Sequence, residues 1–544
     1  MKSLAEKRSA TGGSKPFQPP DRPVLAAQAL ARELSRLGVR HAFGVSGGAI
    51  ALVFDALIDS PVDLHHFRHE SGAAFAAAEA SLTTGRPTVV FATTGPGLLN
   101  TLTGLAAARW DGAKVLLISG ATNPSQRGRW ATQETSSYTL SQDALFASGS
   151  LFDLAVRIEQ AHELMVVLRR LATGFQRPGG FVAHLSLPMS VQSSQVDSPR
   201  VRLDSRPMSP NATAEDVAFC ARRLAEPSSV IWAGFGATSA ALFVRELAER
   251  TLSRVLCSPR GKGILPEDHP LYLGVSGESG HPAAREALVQ LRPKWTLVLG
   301  SRLGQATSGW EPDFTPSEGF VHVDLDPEVP GSAFPAVSTQ GIQADIGEFL
   351  EDLLTFFPSQ PGTKPTSRWP HPPKTAESNR ESDAVSPQDL MAAIQRQIVQ
   401  SSDAPILTEA GPTLGWCNQH LCFPSPGRFR VSNGFRAEGH AACGVVGTAL
   451  ARRDKAVAVV DRASMLVASE VSSAVQYQAP AVWIVLNETP DSRPTPEVDF
   501  VRYAQSLGAD GARVESEGPL DLVLRRAMTA RGPFVIDVHT APLI

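Results

Sequence analysis

The sequence predicts an α/β protein made of three doubly wound, parallel-sheet domains. Three observations carry this. Short apolar runs alternate with helix-patterned segments along most of the chain, the pattern of βα units that build a parallel sheet. Glycine and small polar residues gather directly after the apolar runs, at the strand ends where such sheets hold ligands. A stretch rich in Pro, Ser, Thr and charge, residues 359–386, reads as an exposed linker before the last block.

Length and composition agree. The 544 residues suffice for three or four domains at roughly 150 residues each. An apolar content of 42% with 19% charge is ordinary for a globular protein, and a net charge of -4 gives no reason to expect nucleic acid or an anionic membrane as partner. Five cysteines do not make a disulfide framework, so a reducing cytoplasm is expected. Cys417 and Cys422 flank His420, but that spacing fits no usual zinc pattern and reads as ordinary buried thiols. No apolar stretch is long enough to span a membrane. Residues 1–23 lack the apolar core of a secretion signal and read as a disordered leader.

The first domain is expected over residues 24–192. Leu30, Leu34 and Leu37 share a helical face, and Gly38 is a fitting stop. A strand over 41–45 runs into Ser46-Gly47-Gly48. Arg68-His69-Glu70 then enters an Ala-rich helix, and a strand over 89–92 ends in the loop Thr93-Thr94-Gly95-Pro96-Gly97. Glycines there allow close approach to whatever lies above the sheet. Glu70 at a helix start reads either as a cap and dipole partner or as a functional carboxylate.

The middle domain, 193–358, repeats the scheme. A strand over 230–233 precedes Gly234 and Gly236. A polar, glycine-rich run follows with Gly261, Lys262, Gly274 and Gly277; a strand over 296–299 precedes Gly300 and Arg302; and acidic residues Asp324 and Asp345 follow two further strand ends. Glycine turns admit phosphate, an arginine neutralises it and an acid can hold a ribose hydroxyl, so these ten residues form a candidate nucleotide site. An empty, vestigial nucleotide fold is the alternative.

The last domain, 387–544, holds the stretch that organises the chain. Residues 457–460 and 482–486 are apolar β runs, and 464–477 is helix-like. Asp461-Arg462-Ala463-Ser464 follows the first run and Asn487-Glu488 the second. Glu438 and Gly439 precede a long apolar helix.

Taken together, these motifs resemble the acetolactate synthase group of the thiamine-diphosphate enzymes. The resemblance runs over about residues 24–542. It covers Gly44-Val45-Ser46-Gly47-Gly48, Arg68-His69-Glu70, the 93–97 loop with Asn100, Gln133-Glu134, and Gly300-Ser301-Arg302 through Ser308-Gly309. It also covers Asp324 and Asp326-Pro327, Ala344-Asp345, Thr408-Glu409, and the segments at 499–511 and 532–538. It implies a pyrimidine-binding-like first domain, a central domain that holds FAD in some members, and a diphosphate-binding-like last domain. It also implies a homodimer or homotetramer, because the outer domains of the group meet across a subunit interface. Glu70 would hydrogen-bond the cofactor's aminopyrimidine ring, with Gln133 nearby.

The resemblance breaks at the metal. The group's turn reads Gly-Asp-Gly-Ser and its second strand ends in Asn-Asn, whereas Arg462 and Glu488 stand at the two metal-binding positions. Glu438 replaces a bulky apolar residue that wedges under the cofactor, Pro412 replaces an Asn, and only residues 489–498 stand where relatives carry a longer cover. Arg462 and Glu488 cancel each other's charge, and Asp461 and Glu438 leave the pocket net negative. A diphosphate is then opposed by roughly 4 kcal/mol per unit charge at ~4 Å, and a guanidinium cannot complete magnesium's oxygen octahedron. An Arg462–Glu488 ion pair would fill the vacated position. No metal is expected, and thiamine diphosphate is in doubt. The expectation is an acetolactate-synthase-like enzyme repurposed as an FAD-dependent oxygenase or oxidoreductase on a small organic acid or specialised metabolite. Arg462 would bind the acidic substrate, Glu70 would serve as base or proton shuttle, and Gln133, Glu438 and Glu488 would complete the catalytic set. The alternatives are a thiamine-diphosphate carboligase or lyase with Arg462 replacing the metal, and a silent partner subunit.

Overall fold

Three six-stranded sheets, parallel throughout, carry the chain. The computed structural model describes residues 23–139, 145–149, 151–197, 201, 209–358, 384–488 and 498–541. The expected leader but for its last residue, most of the linker and most of the segment after Glu488 lie outside these residues.

The first sheet contains β2 (His41–Gly44), β3 (Asp63–His66), β4 (Thr88–Ala92), β5 (Lys114–Ala121), β6 (Leu154–Arg157) and β7 (Phe181–Pro188), in the order β3-β2-β4-β5-β7-β6. The short strands β1 (Val24–Leu25) and β8 (Gln195–Val196) pair antiparallel and tie the domain's two ends together. Strands β4 and β5 are buried almost along their whole length, which is why they read as near-continuous apolar runs.

The middle sheet contains β9 (Val230–Ala233), β10 (Arg254–Cys257), β11 (Tyr272–Val275), β12 (Trp295–Leu299), β13 (Gly319–Asp324) and β14 (Thr339–Gln343), in the order β11-β10-β9-β12-β13-β14. Counted from its own first strand this is the order of dinucleotide-binding sheets. The last sheet contains β15 (Ile406–Thr408), β16 (Phe429–Val431), β17 (Ala456–Asp461), β18 (Ala481–Glu488), β19 (Asp510–Val514) and β20 (Phe534–Thr540), in the order β16-β15-β17-β18-β20-β19. That repeats the order of the first sheet strand for strand.

Six helices matter for the site: α1 (Glu70–Thr84), α2 (Leu102–Asp111), α3 (Pro412–His420), α4 (His440–Arg452), α5 (Arg462–Leu466) and α6 (Val471–Tyr477). His69 caps α1 by accepting the Ser71 amide, and Gly85 ends it in the left-handed region at φ 66. Helices α1 and α4 cross in close contact. A side chain at Gly447 would place its first carbon 2.0 Å from the Ala76 carbonyl oxygen, so only glycine allows this approach. The crossing belongs to one apolar core that joins the outer domains, with Ala73, Ala77 and Leu117 on one side and Leu407, Val445 and Trp483 on the other. Each large aliphatic side chain buried there contributes roughly 1.5–3 kcal/mol.

The helix expected over 464–477 is two short helices, α5 and α6. Asp461 starts α5 by capping the Ser464 amide at 2.8 Å, and the chain then breaks so that Glu470 reaches into the first domain. No helix among the described residues is long and apolar enough to cross a membrane.

Candidate functional site

In doubly wound sheets ligands sit beyond the strand ends where the strand order reverses. In the first sheet this is the crevice between β2 and β4. The loops after these strands touch, since a side chain at Gly47 would come within 2.8 Å of Thr93. Glu70 opens α1 beside them and is buried, with one carboxylate oxygen accepting from Asn100 Nδ2 at 3.0 Å. Gly97 faces its other oxygen, 3.3 Å from where a Cβ would stand. Gln133 packs over Gly95 with φ 55, and Thr94 Oγ1 donates to Gln133 Oε1 at 3.4 Å. The structure therefore brings Glu70, Asn100 and Gln133 around one glycine loop.

In the last sheet the reversal lies between β15 and β17. Glu409 follows β15, and its Oε1 accepts the amides of Ala441 at 2.8 Å and Ala442 at 3.0 Å, the first turn of α4. Burial, reinforced by the charges of Glu438 and Asp461, pushes its acid up to about 7 against the pull of the Ala442 amide and of His440. Asp461 is the last residue of β17, and Arg462 the first of α5. A carboxylate thus reaches the strand end, with the arginine one step beyond it. Ser464 donates its hydroxyl to Glu438, so Glu438, Asp461 and Arg462 share one turn. Glu488 closes β18 on the neighbouring strand, where Asp461 pairs with Leu486. Arg462 and Glu488 are half-buried and both are engaged. Among the described residues no three His, Cys, Asp or Glu side chains gather as a metal cage.

The two ends are connected through the third domain's own residues. The buried Glu470 carboxylate accepts the amides of His69 at 3.0 Å and Arg68 at 3.2 Å, gripping the turn that launches α1 and Glu70. Gly72 makes room, because a Cβ there would stand 2.7 Å from the Glu470 side chain. Sequence reasoning placed Glu409 in a motif but gave it no role, and it missed Glu470 and a buried pair between Glu79 and His440. The one sequence signal was their charge inside otherwise apolar or Ala-rich segments.

The middle domain's candidate residues do not converge. Gly234 and Gly236 pack against Gly300 and Ser301, where a side chain at Gly234 would meet the Gly300 carbonyl at 2.4 Å. Gly261 abuts the Ala233 carbonyl, Gly274 lies against His281, and Gly277 lies against the Ala306 carbonyl. These glycines serve loop-on-loop contact. Lys262 points away from these loops. Its ammonium is fully buried on Glu267 at 3.0 Å and the Asn418 carbonyl at 2.9 Å. Arg302 turns to the first domain and donates to the Trp110 carbonyl at 2.7 Å. Asp345 caps the helix Ile346–Leu354 through the amides of Gly347 and Glu348. Asp324 accepts the Asp326 amide in its own turn, and burial raises its acid. A separate cleft of about 590 Å³ opens beside the helix Pro282–Leu291, lined by Ser279, Arg285 and Phe314 among others. The five thiols form no disulfide; burial pushes Cys417 up to about 12, and His420 stacks on Trp416.

Comparison with known families gives three matches in chain order. Residues 25–140 match "Thiamine pyrophosphate enzyme, N-terminal TPP binding domain", 222–353 match its central domain, and 409–489 with 487–538 match its C-terminal TPP binding domain. The chain is similar to the acetolactate synthase isozyme 2 large subunit of Escherichia coli, 25% identical over 94% of this chain and 95% of that one. It is similar to the acetolactate synthase of Bacillus subtilis, 26% identical over 92% and 90%. It is also similar to that of Arthrospira platensis, 27% identical over 95% and 94%.

Proposed function

Since this chain belongs to the thiamine pyrophosphate enzymes, and within them to the acetolactate synthase group, we propose that it makes or breaks a carbon–carbon bond of a small organic acid at a site whose ring-binding end is kept and whose metal end is rebuilt. One observation carries this reading. Glu70 is buried, hydrogen-bonded to Asn100, open toward Gly97, and fixed by Glu470 from the domain that carries the other end. A carboxylate so placed suits a nitrogen heterocycle, and thiamine diphosphate, when bound, supplies carbanion stabilisation.

The two ends fit that cofactor unequally. At the ring end the residues fit. At the anionic end they do not fit an ordinary magnesium-carried diphosphate. One oxygen of Asp461 is spent on the Ser464 amide, Glu438 occupies the Ser464 hydroxyl, Arg462 follows at once, and the site is acidic. In this reading Arg462, at the strand end next to that of Glu488, takes the metal's place, and its guanidinium is the group that meets a carboxylate or phosphate.

A second reading, an FAD-dependent oxygenase that has given up thiamine diphosphate, has one observation in its favour: the middle sheet has the dinucleotide-binding strand order, with Gly234 and Gly300 at its reversal. Its weight is reduced because Arg302, Lys262 and Asp345 are engaged elsewhere.

The test is to purify the protein without added cofactor, denature it and identify what is released by absorbance and mass. Thiamine diphosphate at up to one equivalent, with little magnesium, is the expected result. Stoichiometric FAD alone would replace the first reading by the second. Release of neither, together with no thiamine diphosphate bound on addition, would sink both and leave a silent partner subunit.

A further inference from the structure

A buried charge cluster stands behind the strand-end turns, where the three domains meet. Glu79, on α1, is almost wholly buried. One of its oxygens accepts from Arg430 at 2.8 Å and the other meets His440 Nε2 at 2.9 Å. Arg430, on β16, also donates to the Glu79 carbonyl and the Thr83 hydroxyl, so it crosses from the last domain to the first. Nearby, Asp111 at the end of α2 is held by Arg260 of the middle domain at 3.1 Å, and that guanidinium lies 3.9 Å above the Phe235 ring.

His440 is the first residue of α4 and is buried, with its ring 5.0 Å from that of Phe75. It follows Gly439, whose φ of 80 lets the chain turn from Glu438 into the helix. The next two amides hold Glu409, and the Ala442 carbonyl accepts the indole of Trp483 at 2.8 Å. Whatever holds the imidazole therefore holds this first turn. Yet Nδ1 of His440 is buried with no hydrogen-bond partner among the described residues. Only Nε2 is anchored, so the ring is held by Glu79 and not by a saturated network.

We propose that His440, as an imidazolium paired with Glu79, is a positioning residue that docks the first turn of α4, and with it Glu438 and Glu409, against the first domain, and that the docking loosens when the imidazolium gives up its proton. The groups around it favour the charged ring. Glu79 faces it from α1, Asp111 from α2 and Glu409 from the end of β15, while Arg430 from β16 shares Glu79 and Arg260 offsets Asp111. Burial works against the charge, and the Glu79 hydrogen bond with these carboxylates outweighs it, so the ring titrates above its ordinary value of 6.5. The sign follows. The docking is complete below that value and is lost as pH rises through the folded, raised one. It holds whichever cofactor the site takes.

Hydrogen–deuterium exchange on the full-length, cofactor-free protein tests this without any assumed activity. Amides of residues 437–448 and 70–84 are followed from about pH 6 to about pH 9 and corrected for intrinsic rates. Protection in both segments should fall together, by about tenfold or more. His440→Gln, which keeps a donor and cannot titrate, should abolish the pH-dependent loss of protection in residues 70–84, leaving in 437–448 only the response of Glu409, whose acid lies at about 7. Glu79→Gln, which keeps the shape and removes the charge, should move the loss of protection to lower pH. A wild-type profile that is flat, or one matched by either variant, would overturn the proposal.

Discussion

Glu79 and Glu70 lie on the same helix, and their surroundings give them different work. Burial alone would raise the acid of Glu79, but the His440 hydrogen bond and the Arg430 charge outweigh it and pull it down to about 2. A folded value below the ordinary 4.5 means stability that is present above about 4.5 and is lost as pH falls toward 2. Glu79→Ala should cost about 3–5 kcal/mol, because it leaves Arg430 and His440 buried without their counter-ion. Urea denaturation near neutral pH measures this, and a change under about 1 kcal/mol would mean that the pair contributes specificity and little stability. Glu70 was legible in the sequence because Arg-His-Glu precedes a helix start beside a glycine loop. Glu79 was not, since it interrupts an Ala-rich run with no motif and its partner His440 lies 361 positions away. Lys262 shows the converse: between glycines it reads as a phosphate ligand, and in the fold its ammonium is buried on Glu267 and the Asn418 carbonyl, partners the local sequence does not show.

At the level of elements, the strands were legible and the pairing of helices was not. Runs such as β4, β5, β17 and β18 are apolar because parallel strands are covered on both faces, and that leaves a local signature. The break between α5 and α6 has none. It exists because Glu470 is drawn to the amides of Arg68 and His69, more than 400 positions away. The crossing of α1 and α4 likewise depends on Gly447, which in the sequence is one small residue among many. Gly447→Val should push the helices apart, since even a first side-chain carbon would stand 2.0 Å from the Ala76 carbonyl oxygen. The expected loss is about 1–3 kcal/mol or more, as for overpacked cores. Because the crossing also positions His440 and Glu70, thermal unfolding and ligand binding should weaken together. Weakened binding at unchanged stability would show that the crossing tunes the site without carrying the fold.

Across the whole molecule, the outer domains repeat one strand order and share one core, whereas the middle domain has another order and cores of its own. The domain sequence could be read from the chain, but that the first and last domains are the joined pair could not, since it rests on contacts such as Gly447 to Ala76. The joined pair leaves its two reversal crevices at the surface with apolar residues beside them. Leu99 is 42% exposed next to Asn100, and Leu466 and Val467 are 54% and 52% exposed just past Ser464. Large apolar side chains exposed beside polar site residues suit a surface that a partner or a ligand covers. A second copy of this chain suits the case, because each copy would bring one crevice of each kind to the other. The prediction is that sedimentation gives a dimer or tetramer whose interface exceeds about 1,200 Å². Leu466→Asp with Val467→Asp should shift it toward monomer by about tenfold or more in dissociation constant, at the 1.4 kcal/mol that one decade represents. If the crevices complete each other, cofactor retention falls in the same concentration range. Should the wild type sediment as a monomer that retains its cofactor, Glu70 and Asp461 of one chain would have to serve one ligand by themselves.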